Sequence, residues 1–234
     1  MSKPPDEITR IEQTYDRYAT SNYRNKWSTD NPGNQRIKSE QEQVLRQVLG
    51  KNGFFPSDKK RVLDVGCGAG RLLNLFQTWG TPAANLLGID LLLERVEVAR
   101  ANHPEIRFEC ANAAKLEFPD ASFDVVSFFV VFSSVLDQNL AAQISAEAIR
   151  VLKPGGMVVW YDFRFESPGN QNVRAISKEN ISALFPGLVQ DLRLITLIPP
   201  LARRLGSLTD LLYPILKTLP LMRTHYLGVL RKPV

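Results

Sequence analysis

Residues 62–70 read Val62-Leu63-Asp64-Val65-Gly66-Cys67-Gly68-Ala69-Gly70, an apolar run that breaks into glycine at every second position. Arg61 to Val65 reads as a buried strand. From Arg71 onward Leu72, Leu73, Leu75, Phe76 and Trp79 fall at helical spacing. Glycine suits the join because the backbone must turn sharply there, and because a ligand can approach a main chain that carries no Cβ. The helix beyond points its free N–H groups back at the same turn. Strand, glycine turn and helix form the opening half-unit of a nucleotide-binding α/β sheet. The dinucleotide fingerprint G-x-G-x-x-G would want its third glycine at position 71. That position is Arg71, and the third glycine comes one residue early.

The whole chain is consistent with such a domain. Its 234 residues, 44% of them apolar, are sufficient for one sizeable core. No apolar run approaches the roughly 18 residues of a membrane span. The N-terminus, Met1 to Glu7, is polar and soon acidic, which does not suit a secretory signal. Cys67 and Cys110 sit in apolar, strand-like surroundings and read as reduced core thiols of a cytoplasmic protein. His103 and His225 lie far apart, so no metal site is expected. The net charge of +5 falls entirely after residue 190, where seven basic residues face only Asp191 and Asp210. Such an end suits an anionic partner (nucleic acid, phospholipid or an acidic metabolite) or a solvated helix face.

Further strands and helices follow in alternation. Leu86 to Asp90 is a short buried strand ending in an acid, where an open α/β sheet places the carboxylate that holds ribose hydroxyls. Asp90 could also cap the helix pattern Leu92 to Asn102; the two roles are compatible, and ribose binding is the favoured one. Ile106 to Cys110 reads as the third strand and Val125 to Phe129 as the fourth. Leu140 to Leu152 is a helix stopped by Lys153-Pro154-Gly155-Gly156, and Met157 to Phe163 is the fifth strand. Ser177 caps a helix to Phe185, Val189 to Ile198 suits a sixth strand, and Tyr226 to Leu230 a seventh. Ahead of the sheet, Ile8 to Ala19 reads as a short helix and Asn31-Pro32-Gly33-Asn34 as a turn. A second helix follows with Val44, Leu45, Val48 and Leu49 on one face and Gly50 as its stop.

Asp64-x-Gly66-x-Gly68-x-Gly70 resembles motif I of the class I S-adenosylmethionine-dependent methyltransferases. Four more strings match that family in order: the acid Asp90, Asn112-Ala113 where the family has Asp-Ala, Phe118-Pro119-Asp120-Ala121-Ser122-Phe123-Asp124, and Leu152-Lys153-Pro154-Gly155-Gly156. The fold implied is a Rossmann-like, doubly wound, seven-stranded, mostly parallel sheet with the last strand antiparallel and helices on both faces. It forms a single domain with an N-terminal helical arm (1–56), a cofactor-binding core (57–198), a helical insertion (199–224) and a last strand (225–234). The cofactor implied is S-adenosyl-L-methionine. Its contacts would come from Tyr15, Asp64, Gly66, Cys67, Gly68, Gly70, Asp90, Leu91, Asn112, Ala113 and Phe129. Tyr15-Asp16-Arg17-Tyr18-Ala19 is similar to the opening of the family's N-terminal arm, and its aromatics, with Tyr23 and Trp27, could face the sulfonium by cation–π attraction or simply pack the arm.

Two departures bear on chemistry. The Asn/Asp-Pro-Pro-Tyr/Phe signature of adenine and cytosine amino-methyltransferases is absent near Phe128 to Val131. Where the family often has a histidine pair, this chain has Ser133-Ser134. A hydroxyl acceptor needs a general base within hydrogen-bond reach. Asp162 is the leading candidate, ahead of Asp137, Tyr161 and His225. The polar loop after the fifth strand offers Arg164, Asn170, Asn172 and Arg174 as substrate contacts, or as loop scaffold. Pro199 to Thr224 is rich in leucine and arginine and is broken by Gly206, Pro214 and Pro220. It is expected to lid the active site, in preference to pairing with another copy or resting on a membrane. The expected activity is methyl transfer to a small molecule, most often at oxygen, of a natural product, sugar or lipid-like precursor. RNA methylation through the basic end is the second reading, and a non-catalytic binding protein of the same fold the third.

Overall fold

A computed structural model describes residues 6–20, 26, 28–166 and 169–234. Tyr23 and Trp27 lie outside the described residues.

Helices α1 (Glu7–Thr20) and α2 (Pro32–Lys51) precede the sheet. The alternation then runs β1 (Val62–Val65), α3 (Arg71–Thr78), β2 (Leu86–Asp90), α4 (Leu93–Asn102), β3 (Arg107–Cys110), β4 (Phe123–Phe129), α5 (Gln138–Val151) and β5 (Leu152–Phe163). It ends with α6 (Lys178–Leu184), β6 (Val189–Leu197), α7 (Pro199–Arg204), α8 (Thr209–Leu216) and β7 (Arg223–Arg231). The seven strands lie in the order β3-β2-β1-β4-β5-β7-β6. β7 is antiparallel to both its neighbours, β5 and β6, and the other pairs are parallel.

Alternation along the strands explains the two layers. In β5, Met157, Val159 and Tyr161 point to one face and Val158 and Trp160 to the other. The first set packs with Leu45, Val48 and Leu49 of α2, Leu72, Leu73 and Phe76 of α3, and Val96 and Ala99 of α4. The second packs with Ala141, Ile144 and Ala148 of α5 and Ile181 of α6. Both faces are covered, so β1 and β2 are buried at every residue, as parallel central strands are.

Several boundaries differ from the sequence reading. Asn31 to Asn34 is no free turn: the Asn31 side chain accepts the Asn34 N–H at 3.2 Å, and Pro32 occupies the first helical turn. Gly33 is fixed by packing, since a Cβ there would lie 2.1 Å from the Ala202 carbonyl oxygen of α7. Gly50 is inside α2, which ends at Lys51 with Asn52 as its cap. Lys153 to Gly156 belongs to β5, where the register against β4 shifts between Phe123 and Val125 and Gly155 adopts φ +72°. Cys67 is buried as expected, but Cys110 is exposed.

The insertion does not lid the sheet's ligand end. Ala202 and Tyr213 pack on Ile37 of α2 and Leu197 of β6. Tyr213 donates to Glu40 at 2.7 Å, and Glu40 also accepts the Thr196 N–H at 3.1 Å and pairs with Lys217 at 3.2 Å. Thr196 takes φ +66°, uncommon for a β-branched residue, and this turns its N–H out of the β6 ladder toward Glu40.

Candidate functional site

A cavity of about 230 Å³ opens at the carboxyl ends of β1, β2 and β4, on the β1/β4 switch point of the sheet. Its wall takes Val65 and Gly66 at the end of β1, Ile89 to Arg95 in part, Ala111 to Ala113 after β3, and Phe129 to Val131 at the end of β4. Ile8, Ile11 and Tyr15 of α1 roof it.

Asp90 is built into the wall. One carboxylate oxygen accepts the Gly68 N–H at 2.9 Å and the other the Leu92 N–H at 3.1 Å. Each oxygen keeps a further lone pair, so the carboxylate is aimed and still able to accept two hydroxyls. The helix cap itself falls to Leu92, which offers no side-chain bond. Asn112 turns the chain after β3, its side-chain oxygen accepting the Ala114 N–H at 2.9 Å, and with Leu91 and Ala113 it borders the cavity.

The glycine turn divides its labour. Gly66, at φ +70°, faces the cavity, and a Cβ there would lie 2.7 Å from Val131 Cγ2. Gly70, at φ +83°, sits against the core, where a Cβ would meet Phe108 and His103 at 2.8 Å. Gly68 offers its N–H to Asp90. Cys67 is buried beneath the turn, and burial pushes its thiol well above the ordinary range, which leaves it inert. Asp64 lies under the turn rather than in the cavity wall. Ser127 of β4 donates to it at 2.7 Å, and burial raises its carboxyl to about 7 despite that bond.

Tyr15 connects the roof to the wall. Its ring carries the Arg95 guanidinium at 4.3 Å, and its hydroxyl lies 3.1 Å from Ser134 Oγ. Burial raises the Tyr15 hydroxyl, partly offset by Ser134. The cation on this ring is therefore a side chain of the protein. Arg95 was missed in the sequence, where a cation in the first turn of a surface helix has no distinguishing pattern. Val130, at φ +58°, turns the chain out of β4 and brings Val131 over Gly66.

The polar loop after β5 faces the arm. Asn170 accepts from the Tyr18 hydroxyl at 3.1 Å, and Asn172 from the Thr14 hydroxyl at 3.3 Å. Arg174 donates its backbone N–H to the Ser133 carbonyl at 2.9 Å. The Arg164 guanidinium lies 4.0 Å over Phe165, and the Arg164 backbone N–H donates to the Thr224 carbonyl at 3.0 Å. None of the four borders the cavity. Asn170 and Asn172 form a clasp on α1, whose other end is held by Glu7, accepting the Leu136 N–H, and Arg10, donating to the Ser134 carbonyl, both at 2.6 Å.

The candidate bases are placed differently from what a base requires. Asp162 is buried, accepts the Ser133 N–H at 3.0 Å and the Phe163 N–H at 2.8 Å, and stays outside the cavity wall. Burial raises its carboxyl to about 6 against those bonds. It ties the turn after β4 to the end of β5. Asp137 caps α5 through the Leu140 N–H. His225 is sealed between Tyr161 and Phe163, ring centroids 4.6 and 4.2 Å away, and burial lowers it to about 3. Tyr161 hydrogen-bonds Thr196 at 2.9 Å, and burial raises its hydroxyl.

The donor set fits an adenosyl cofactor: an anchored carboxylate for vicinal hydroxyls, apolar walls at Leu91, Ala113 and Val131 for a flat base, and a glycine edge where a Cβ has no room. Comparison with known proteins agrees. Residues 62–156 match the family model described as a methyltransferase domain. A probable S-adenosylmethionine-dependent methyltransferase of Mycolicibacterium smegmatis is 38% identical over 96 residues, 41% of this chain and 35% of that protein. The ubiquinone biosynthesis O-methyltransferase of Paracidovorax citrulli is 35% identical over 130 residues, 53% of this chain and 50% of that one. The chain thus spans between about a third and a half of these relatives' length. In fold it is similar to the 1,6-didemethyltoxoflavin-N1-methyltransferase of Burkholderia thailandensis, crystallised with S-adenosylhomocysteine, with TM-score 0.65 at 17% identity over 100% of this chain and 92% of that one. Residues 62–156 thus match a methyltransferase domain, and the chain is similar to S-adenosylmethionine-dependent methyltransferases in sequence over that region and in fold over its whole length.

Proposed function

We propose that this protein transfers a methyl group from S-adenosylmethionine to an oxygen of a small molecule, a natural product, sugar or lipid-like precursor. The observation that carries the reading is the roofed cavity at the sheet's switch point, with Asp90 anchored at its edge by Gly68 and Leu92. When bound, the cofactor supplies a methyl group already activated on a sulfonium, open to in-line displacement without a metal by an acceptor oxygen that enters as its anion, since none of the four candidate bases borders the cavity.

The chain's own task is then to hold and to exclude. Asp90 accepts the ribose hydroxyls, and Leu91, Ala113 and Val131 enclose the base. Ile8, Ile11 and Tyr15 keep water out from above. Fixing donor and acceptor in line supplies most of the acceleration such a reaction needs. Asp162 we assign to positioning: it fixes the Ser133-Ser134 turn, and with it the hydroxyl that meets Tyr15. The oxygen acceptor is favoured by the O-methyltransferase among the relatives.

RNA methylation has less support, because the basic end spends cations inside the protein. Lys232 donates to the Ile149 and Leu152 carbonyls, and Arg223 to those of Lys217, Thr218 and Leu194.

The test is transfer from methyl-labelled S-adenosylmethionine into a host extract, split into organic-soluble, polar small-molecule, polysaccharide and RNA fractions. Asp90→Ala is the control. Label in either small-molecule fraction, absent with Asp90→Ala, is the expected result. Label in RNA alone would replace this reading with the second one.

A further inference from the structure

Helix α8 is apolar on the side that faces the protein and also on the side that does not. Inward, Thr209 and Tyr213 are buried on α2, and the Tyr213–Glu40 hydrogen bond fixes which face that is. Outward, Leu208, Leu211 and Ile215 follow at intervals of three and four residues and therefore share a face. They are 53, 64 and 57% exposed, and Leu219 and Leu221 beyond them are 50 and 78% exposed. Among the described residues ten large apolar side chains are exposed, and half of them fall in these fourteen positions; the rest are scattered. A contiguous patch of that kind marks an interaction surface rather than ordinary surface noise.

Two properties of the segment, its distance from the cavity and its charge, select the occupant of the patch. Residues 199–224 lend nothing to the cavity wall, so the patch does not enclose the acceptor. The segment carries Arg203, Arg204, Lys217 and Arg223 against Asp210; Lys217 pairs with Glu40 and Arg223 is bonded to carbonyls, so four cations less Asp210 and Glu40 leave an excess of +2, with Arg204 the exposed cation. A second copy docking face to face by two-fold symmetry would set this excess charge against itself. An anionic lipid surface meets both properties at once, taking the leucines among its acyl chains and the exposed Arg204 at its phosphates. No described helix is long and apolar enough to cross a membrane, so the contact would lie in the interface plane.

We propose that the α8 face, from Leu208 to Leu221, seats the protein on an anionic lipid bilayer. The proposal does not depend on the chemistry of the cavity.

The experiment is vesicle flotation of the full chain with phosphatidylcholine alone and with phosphatidylcholine plus phosphatidylglycerol, at low and raised salt. Binding to the phosphatidylglycerol vesicles, weakened by salt, is expected. Leu211→Glu with Ile215→Glu should lower the partition at least tenfold, and Arg204→Gln about fivefold. Calorimetric titration with S-adenosylhomocysteine, unchanged in these variants, shows that they are folded and separates this result from any failure of the methyltransferase reading. Should the double variant not fold, Leu221→Asp in the turn after α8 takes its place. Flotation with neither vesicle would overturn the proposal, as would binding indifferent to these substitutions. A dimer by sedimentation equilibrium, dispersed by Leu211→Glu in a chain that ignores vesicles, would assign the face to a second copy instead.

Discussion

Replacing Asp64 by Asn should change how stability depends on pH. The carboxyl is buried, and with the Ser127 bond included its folded value is about 7, against 3.8 for the unfolded chain. A folded value raised in this way means that the stabilising form is the protonated one. The contribution is intact below pH 3.8 and is lost as pH rises through 7. Over its whole range this amounts to roughly 4 kcal/mol. Between pH 5 and pH 8 it comes to roughly 2.5 kcal/mol, because part is already lost at pH 5. Asn cannot ionise and keeps an oxygen for Ser127, so the variant lacks this slope. Urea midpoints of wild type and Asp64→Asn, measured at pH 5 and pH 8 without ligand, give the difference directly. The variant should gain on the wild type by about that amount as pH rises. Parallel curves would refute the reasoning, and would mean that Asp64 is solvated or already protonated throughout.

His225 should act in the opposite sense. Its folded value of about 3 lies below the ordinary 6.5, so its contribution is full above 6.5 and is lost as pH falls toward 3. His225→Gln should flatten the acid limb by roughly 2 kcal/mol between pH 7.5 and pH 5, read from the same urea midpoints. Gly70→Ala forces φ +83° on a residue with a Cβ and drives that Cβ to within 2.8 Å of Phe108. A loss of about 2–4 kcal/mol in urea unfolding is expected. Asn170→Ala with Asn172→Ala should release α1, giving faster proteolysis within residues 6–20 and several-fold weaker S-adenosylhomocysteine binding. Unchanged protection and affinity would return these two residues to the acceptor.

The cofactor half was legible because its physics is local. Buried parallel strands show as continuous apolar runs, and the turn between β1 and α3 can be made only where glycine permits positive φ. Elsewhere the same residue types serve two purposes, and sequence does not separate them. Asn31-Pro32-Gly33-Asn34 has turn chemistry, but Asn as a cap followed by Pro is also how helices begin. What decides is the approach of α7 to Gly33, a tertiary fact. Asn170 and Asn172 look alike whether a polar loop faces a substrate or a helix, and here they face Thr14 and Tyr18. Asp162 read as a base because it ends a strand at the ligand side. The backbone N–H groups that occupy it come from Ser133, twenty-nine positions earlier, and from its neighbour Phe163. Nothing in residues 199–224 announced that they would pack on α2, since leucine-rich segments with prolines are equally suited to a lid.

The way α1 is fastened has a kinetic consequence. Glu7 and Arg10 tie one end to the turn after β4, and Thr14 and Tyr18 tie the other to the loop after β5. Each bond contributes on the order of 1 kcal/mol. Detaching the helix is thus a local opening far cheaper than unfolding the sheet beneath it. With α1 as the roof, every exchange of spent for fresh cofactor would pass through that opening. The clock of the catalytic cycle would then be set by four side chains that touch no reacting atom, and turnover would follow how often the roof lifts rather than how fast the methyl moves.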